Sequence, residues 1–188
     1  MSGTRVSDLP RAIVLRLKHG DWRGLYTRPS KIDPERYSDA AKAVLRRADA
    51  EVRSRGNQTL VTQHLLLGLL QADDARIEDA FTRGSAQRER LVDLIDRQIP
   101  SGDVVWDPPK PVEFGEVPER PRFVGMTRSV IDTYERAFKL ADRQASDQVN
   151  ASLLLAALLT DRRATATRLL REAGVNTKAV RQASLDHK

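Results

Sequence analysis

The chain has 188 residues, of which 40% are hydrophobic and 31% charged, and its formal net charge is +6. This composition is typical of a soluble globular protein with one or two small domains. The absence of cysteine excludes disulfides, thiolate metal sites and cysteine nucleophiles. Charged residues interrupt the only apolar stretch near Met1, so no signal peptide is predicted and a cytoplasmic location is the default expectation.

Residues 1–36 form an N-terminal arm with 8 basic and 4 acidic side chains. Apolar residues recur with helical spacing from Val6 to Leu17, and Gly20 ends the pattern. A short amphipathic helix is therefore predicted over 9–18. Its apolar stripe is compatible with packing against the rest of the chain or with a docking or dimerising role. The basic charge is either a solvated face or a pointer to nucleic acid or an acidic protein surface.

Two later segments carry apolar stripes with helical period, each preceded by a hydroxyl residue suited to a helix N-cap. Ser38 opens the first stripe, which ends at Gly56, and Thr127 opens the second. Two amphipathic helices are predicted from these patterns. The residues of the two stripes are Ala41, Val44, Leu45, Ala48 and Val52 in the first, and Val130, Tyr134, Ala137, Phe138 and Ala141 in the second.

Each stripe is followed by a leucine-rich run, TQHLLLGLL over 62–70 and NASLLLAALL over 150–159. A transmembrane helix needs about 20 apolar residues, so the runs are too short to cross a bilayer. They also lack the β-branched residues of a buried strand. We therefore predict two helices buried on nearly all sides, with Thr62 and Asn150 as their N-caps.

Two further helical patterns follow each run, separated by Gly84 in one copy and by Gly174 in the other. The unit is thus about four helices used twice, and its alignment needs a one-residue gap between Ala141 and Asn150. The predicted fold is all-α: a tandem of two pseudo-symmetric four-helix repeats, at 37–98 and 123–188, with an N-terminal helical extension.

The connection over 99–122 contains six of the nine prolines. Proline removes a backbone donor and fixes φ, so this segment should be extended and largely free of helix. We expect a partly ordered strap between the repeats, with recognition of its proline motifs by a partner as the alternative.

Residues that would support catalysis, metal binding or nucleotide binding are scarce. The three histidines, His19, His64 and His187, lie in separate segments without metal-ligand spacing. The sequence contains no HExxH, no GxSxG and no GxxxxGK[ST]. His64 is best interpreted as a packed or capping histidine at a helix start. We expect no catalytic residue, no cofactor and no metal, and therefore no enzyme.

The repeats resemble the N-terminal domain of Clp ATPases, closest to the ClpC and ClpA kind. That domain is a tandem of two four-helix repeats, each opening with a Phe-Thr pair and centred on a motif close to GTEHLLLGLL. Tyr37-Ser38 and Met126-Thr127 stand at the Phe-Thr positions, and 62–70 matches the central motif closely. The resemblance covers about four-fifths of the chain, from Tyr37 to Leu185.

The resemblance implies a binding module without the ATPase modules. In ClpC-type proteins the domain docks adaptors and substrates, in some through phosphoarginine held by the Phe-Thr threonine and the acidic residue of the TEH triplet, and it is a target of cyclic-peptide antibiotics. Here Ser38 and Thr127 keep the hydroxyl, but the acidic positions are assigned to Gln63 and Ala151, which supply no anion for a guanidinium. The predicted partner- or peptide-binding residues are Tyr37, Ser38, Gln63, His64, Met126, Thr127 and Ala151.

Two function classes follow. The first is a non-catalytic module of the Clp protease system: an adaptor, a decoy for ClpC-directed ligands, or a regulator of a ClpC-type ATPase. The second is a nucleic-acid-associated protein that uses the basic arm. Resemblance favours the first, and no membrane role is expected.

Overall fold

The computed structural model describes residues 34–105 and 124–186. Within these ranges the chain forms eight α-helices and two very short strands. The predicted arm helix over 9–18, residues 106–122 of the connection, His19 and His187 lie outside the described residues. The elements are α1 Asp39–Ser54, β1 Thr59–Leu60, α2 Thr62–Leu70, α3 Ala75–Arg83, α4 Arg88–Gln98, β2 Gly125–Met126, α5 Arg128–Arg143, α6 Ala151–Thr160, α7 Thr165–Glu172 and α8 Thr177–Asp186.

The eight helices form two copies of one four-helix unit, which confirms the predicted fold. We call α1–α4 repeat one and α5–α8 repeat two. The helices α1 and α5 both have 16 residues and begin 89 positions apart. The turns that follow them place Gly56 and Ala145, again 89 apart, at positive φ of 66° and 52°. The predicted one-residue gap is therefore wrong, because the offset stays constant through the turn where the gap was placed.

The same offset shows that Gly84 and Gly174, which were predicted to separate equivalent helices, are not equivalent residues. Ser85 and Gly174 are the equivalent residues, with φ of 56° and 81°. Gly84 instead has a φ of −83° and serves as the C-cap of α3. Gly84 is required for a different reason, because a Cβ atom there would overlap Cγ2 of Val180 in α8.

The outer helices α1 and α5 bury the stripes predicted for them. All ten stripe residues are buried. Ser38 is the N-cap of α1, and its Oγ accepts a hydrogen bond from the Ala41 N–H at 3.2 Å. Thr127 is the N-cap of α5, as predicted, but its side chain makes no capping hydrogen bond.

The leucine-rich helices α2 and α6 are the most buried helices of the described chain, as predicted. Every residue of α6 from Ala151 to Leu159 is buried, and in α2 only Gln63 is not. Asn150 caps α6 through its Oδ1, which accepts from the Leu153 N–H at 2.8 Å. Thr62 is not the N-cap of α2, because Val61 occupies that position and Thr62 is the first helical residue.

A glycine permits the close approach of α1 and α2. A Cβ atom at Gly68 would lie 2.6 Å from the carbonyl oxygen of Val44, so even alanine would force the two helices apart. The equivalent residue in α6 is Ala157, which is fully buried. The two repeats are thus alike in architecture but differ in how tightly their first two helices pack.

The repeats share one hydrophobic core. Contacts between them come in reciprocal pairs: α1 packs against α6 and α5 against α2, while α3 packs against α8 and α4 against α7. The central helices α2 and α6 also contact each other. This reciprocity is the pattern expected of two units related by a pseudo-twofold axis.

The described part of the connection is free of helix, as predicted, and follows the turn after α1. The Gly102 N–H donates to the Arg55 carbonyl at 2.7 Å, and the Val104 N–H donates to the Gly56 carbonyl at 3.0 Å. Across the described ranges, no helix is both long and apolar enough to cross a membrane.

Candidate functional site

The first residues of repeat one pair with repeat two, at a contact that we call junction I. Tyr37 and Val149 form a parallel β-bridge. The Val149 N–H donates to the Arg36 carbonyl at 2.7 Å, and the Ser38 N–H donates to the Val149 carbonyl at 3.0 Å. Val149 directly precedes the cap of α6. Junction I therefore places Tyr37 and Ser38 beside the start of α6.

The first residues of repeat two pair with repeat one in the same way, at junction II. Strands β1 and β2 are parallel, with Leu60 opposite Met126. The Thr127 N–H donates to the Leu60 carbonyl at 3.1 Å. Junction II therefore places Met126 and Thr127 beside the start of α2. Each junction is composite, with residues from both repeats, and the 89-residue offset relates one junction to the other.

Aromatic rings close junction I. The Tyr37 ring is fully buried and meets Phe138 edge-on, with centroids 5.1 Å apart. The Arg36 guanidinium lies over the Phe138 ring, 5.4 Å from its centroid, and forms an ion pair with Asp142 at 2.8 Å. Ala151 is also fully buried. Of the predicted residues at this junction, only Ser38 is half-buried.

Junction II has the opposite character. Met126, Thr127 and Gln63 are all half-buried. Met126 occupies the position of Tyr37, and the position of Phe138 is taken by Asp49, whose carboxylate is paired with Arg53 at 2.6 Å. No aromatic ring therefore covers this junction from α1. Met126, with its flexible thioether, is only partly buried against the core, and the Thr127 hydroxyl makes no capping hydrogen bond.

The start of α2 is polar but carries no carboxylate. The Thr62 hydroxyl donates to Gln63 Oε1 at 3.3 Å, and its oxygen accepts from the Ala166 N–H of α7. The offset shows that the equivalent of Gln63 is Ser152, not Ala151 as the sequence alignment had it. Ser152 is buried, and its Oγ has no hydrogen-bond partner among the described residues. Neither junction thus presents an acidic residue at these two positions.

His64 is a packed and capping histidine, as predicted. Its side chain is 1% exposed, and its Nδ1 accepts from the Val61 N–H at 3.2 Å. Burial lowers the pKa of His64 to about 4, the positive charge of Arg55 adds to this effect, and Glu51 partly opposes it. His64 is therefore neutral near pH 7 and supports the helix start from inside.

Leu60, Val149 and Ser152 were not predicted to be parts of these junctions. The sequence could have pointed to them only through the 89-residue offset, which relates Leu60 to Val149, just before the caps of α2 and α6, and Gln63 to Ser152, within these helices. No group of three or more metal-binding side chains occurs within 34–105 or 124–186.

The family model of the Clp repeat (R) N-terminal domain matches residues 36–116 and 125–187. No curated protein matches the chain. Among solved structures, the Hsp104 N-terminal domain from Candida albicans is similar with a TM-score of 0.62 and 15% identity, covering 80% of this chain and 89% of that one.

Two further solved structures show the same likeness. The N-terminal domain of the caseinolytic protease associated chaperone ClpD from Arabidopsis thaliana has a TM-score of 0.60 and 20% identity, covering 80% of this chain and 93% of that one. The N-domain of ClpV from Vibrio cholerae has a TM-score of 0.60 and 14% identity, covering 83% and 89%. At these identities the likeness establishes the fold.

Proposed function

The chain belongs to the Clp repeat (R) N-terminal domain family, and we propose that it is a non-catalytic module that binds a protein or peptide of a Clp unfoldase system. The role is that of an adaptor, a decoy or a regulator of a ClpC-type ATPase, and cyclic peptides directed at ClpC are candidate ligands. The single observation that supports it most is junction II, where the half-buried Met126 and Thr127 of one repeat pair with Leu60 of the other, just before the start of α2.

The contact surface that we propose is junction II, with the half-buried residues Met126, Thr127 and Gln63. Ser38 is also half-buried and provides the equivalent hydroxyl at junction I. The other three predicted residues, Tyr37, His64 and Ala151, are buried and hold the junctions in shape. A ligand entering junction II meets an apolar thioether first, and burial of apolar surface is the main source of binding free energy at such a contact.

The neutral helix starts define the ligand further. A guanidinium or phosphoguanidinium loses hydration on binding, and a carboxylate partner offsets that loss. Gln63 and Ser152 provide none. We therefore propose that this module takes an uncharged or apolar peptide segment in preference to phosphoarginine.

The test is binding of a ClpC-type ATPase body to the native chain and to Met126→Asp. An unpaired carboxylate in an apolar contact costs several kcal/mol, so binding should fall by at least about tenfold. Val92→Asp is the matched control: like Met126, Val92 is half-buried and packs against the hydrophobic core, so the two variants carry a similar risk to folding, which circular dichroism checks. Equal binding by the native chain and Met126→Asp would exclude junction II as the contact surface.

A further inference from the structure

A groove of about 360 Å³ lies at the far end of α6 from junction I. The helix has 10 residues, so the groove is about 15 Å along its axis from the cap at Asn150. Four basic side chains line it: Arg162, Arg171, Lys178 and Arg181. Thr160 and Gln182 line it as well.

The charged residues that line this groove are all basic. None of the residues that line it is acidic. Three carboxylates are near these residues in sequence but do not line the groove. Asp161 is paired with Arg136 at 3.6 Å, and Asp186 accepts a hydrogen bond from the amide of the groove residue Gln182 at 2.7 Å. Glu172, next to Arg171, is exposed. The groove therefore concentrates positive potential in a concave surface, where it attracts anions most strongly.

Two of the guanidinium groups are held in place by neutral acceptors. Arg171 Nη1 donates to the Arg162 carbonyl at 3.4 Å, and Arg181 Nε donates to Thr160 Oγ1 at 3.2 Å. Each guanidinium has five N–H donors, so these bonds orient the groups and leave further donors for a ligand.

The basic character is specific to repeat two and is not a requirement of the fold. Four of its positions have equivalents in a groove of about 650 Å³ in repeat one, where Glu89 stands for Lys178, Asp93 for Gln182, Thr82 for Arg171 and Arg88 for Thr177. Glu78 and Arg90 also line that groove. The repeat-one groove thus mixes three carboxylates with two guanidinium groups, whereas the repeat-two groove has four cations and no carboxylate.

We propose that the groove of repeat two binds an acidic segment of a partner protein. Its cations come from three segments of the chain, the α6–α7 turn, α7 and α8, which suits several carboxylates spaced along a peptide better than one compact phosphate. Thr160, Thr177 and Gln182 add hydrogen-bonding groups for a peptide backbone. The groove is separate from junction II, so this proposal can be tested independently of the function proposed above.

The test uses a short fluorescein-labelled peptide of alternating glutamate and glycine, with a glutamine counterpart, in anisotropy titrations of the full chain. The native chain should bind the glutamate peptide only, with an affinity that falls as salt is added. The double variant Arg171→Glu/Arg181→Glu should weaken binding by at least about tenfold. Met126→Asp should bind this peptide like the native chain, which separates the result from junction II.

The matched control is Arg46→Glu/Arg97→Glu, which changes the net charge equally at two exposed positions of repeat one outside the groove. It should alter affinity by less than about twofold. Circular dichroism checks that each variant is folded. If Arg171→Glu/Arg181→Glu unfolds, Arg171→Gln/Arg181→Gln replaces it and should give an intermediate loss of affinity. Equal losses in the groove and control variants would overturn the proposal. The proposal would also be overturned if the glutamate peptide did not bind while duplex DNA or tripolyphosphate bound and was weakened by the groove variant.

Discussion

Val61 and Asn150 occupy the same position in the two repeats, 89 residues apart, but only Asn150 caps its helix with a side chain. In repeat two the cap side chain accepts from a helical N–H, whereas in repeat one the Val61 N–H donates to a helical side chain, at His64 Nδ1. Val61→Asn should therefore supply a missing cap and stabilise the protein by about 1 kcal/mol, and Asn150→Ala should cost about as much. Urea denaturation measures both changes.

The control for this prediction is Thr62→Asn. Thr62 is buried and its hydroxyl oxygen accepts from the Ala166 N–H, so the larger side chain should destabilise the protein. Stabilisation by Thr62→Asn with no effect of Val61→Asn would place the helix start one residue later and contradict the constant offset.

The central helices should dominate stability. Leu66 and Leu154 are fully buried in α2 and α6, and truncation of a buried leucine costs about 2 to 5 kcal/mol. Leu66→Ala and Leu154→Ala should each lower the melting temperature strongly. Val105→Ala, at a position that is 65% exposed, serves as the control and should have little effect. Unchanged melting temperatures for both leucine variants would be incompatible with the core described above.

His64 should make stability depend on pH. Its pKa is lowered from 6.5 to about 4 in the folded protein, so between these values the unfolded chain binds a proton that the folded chain does not. Its contribution to stability is present above pH 6.5 and is lost as the pH falls towards 4, with a slope of at most about 1.4 kcal/mol per pH unit. Chemical denaturation between pH 7 and pH 4 measures this slope.

His64→Gln isolates that effect, because glutamine at the third helical position retains an acceptor for the Val61 N–H but does not titrate. Between pH 6.5 and 4 the variant should lose less stability than the native chain. Identical pH profiles for the two proteins would show that His64 titrates normally.

Restoring a carboxylate at the start of α2 should change ligand preference. Gln63 is half-buried in the first turn of α2, and Gln63→Glu would give a phosphoarginine peptide the anionic partner for its guanidinium that the native chain lacks. Affinity for a phosphoarginine peptide should rise above that of the native chain, as measured by calorimetry. Ser85→Glu, at an exposed turn, controls for the added charge. Equal gains in both variants would mean that only net charge matters.

The helices were predictable because their stripes are periodic and because Ser38, Thr127 and Asn150 are residue types that are favoured at helix N-caps. The start of α2 was placed one residue late because Val61 is apolar and β-branched, so Thr62 was the better candidate for a cap. Junctions I and II were not predictable, since pairs such as Leu60 with Met126 form through main-chain groups that every residue carries. Junction II has no aromatic ring from α1 because Asp49 stands where repeat two has Phe138, and this equivalence is visible only once the register is known.

We propose junction II as the contact surface of a Clp-type binding module. The most direct test titrates a ClpC-type ATPase body and labelled duplex DNA in parallel against the native chain, Met126→Asp and a variant lacking residues 1–33. This deletion retains Arg36, whose side chain is bonded to Asp142. We predict Clp binding that is weakened at least about tenfold by Met126→Asp and is kept by the deletion variant. DNA binding that depends on residues 1–33 and ignores Met126, with no Clp binding at all, would contradict this proposal.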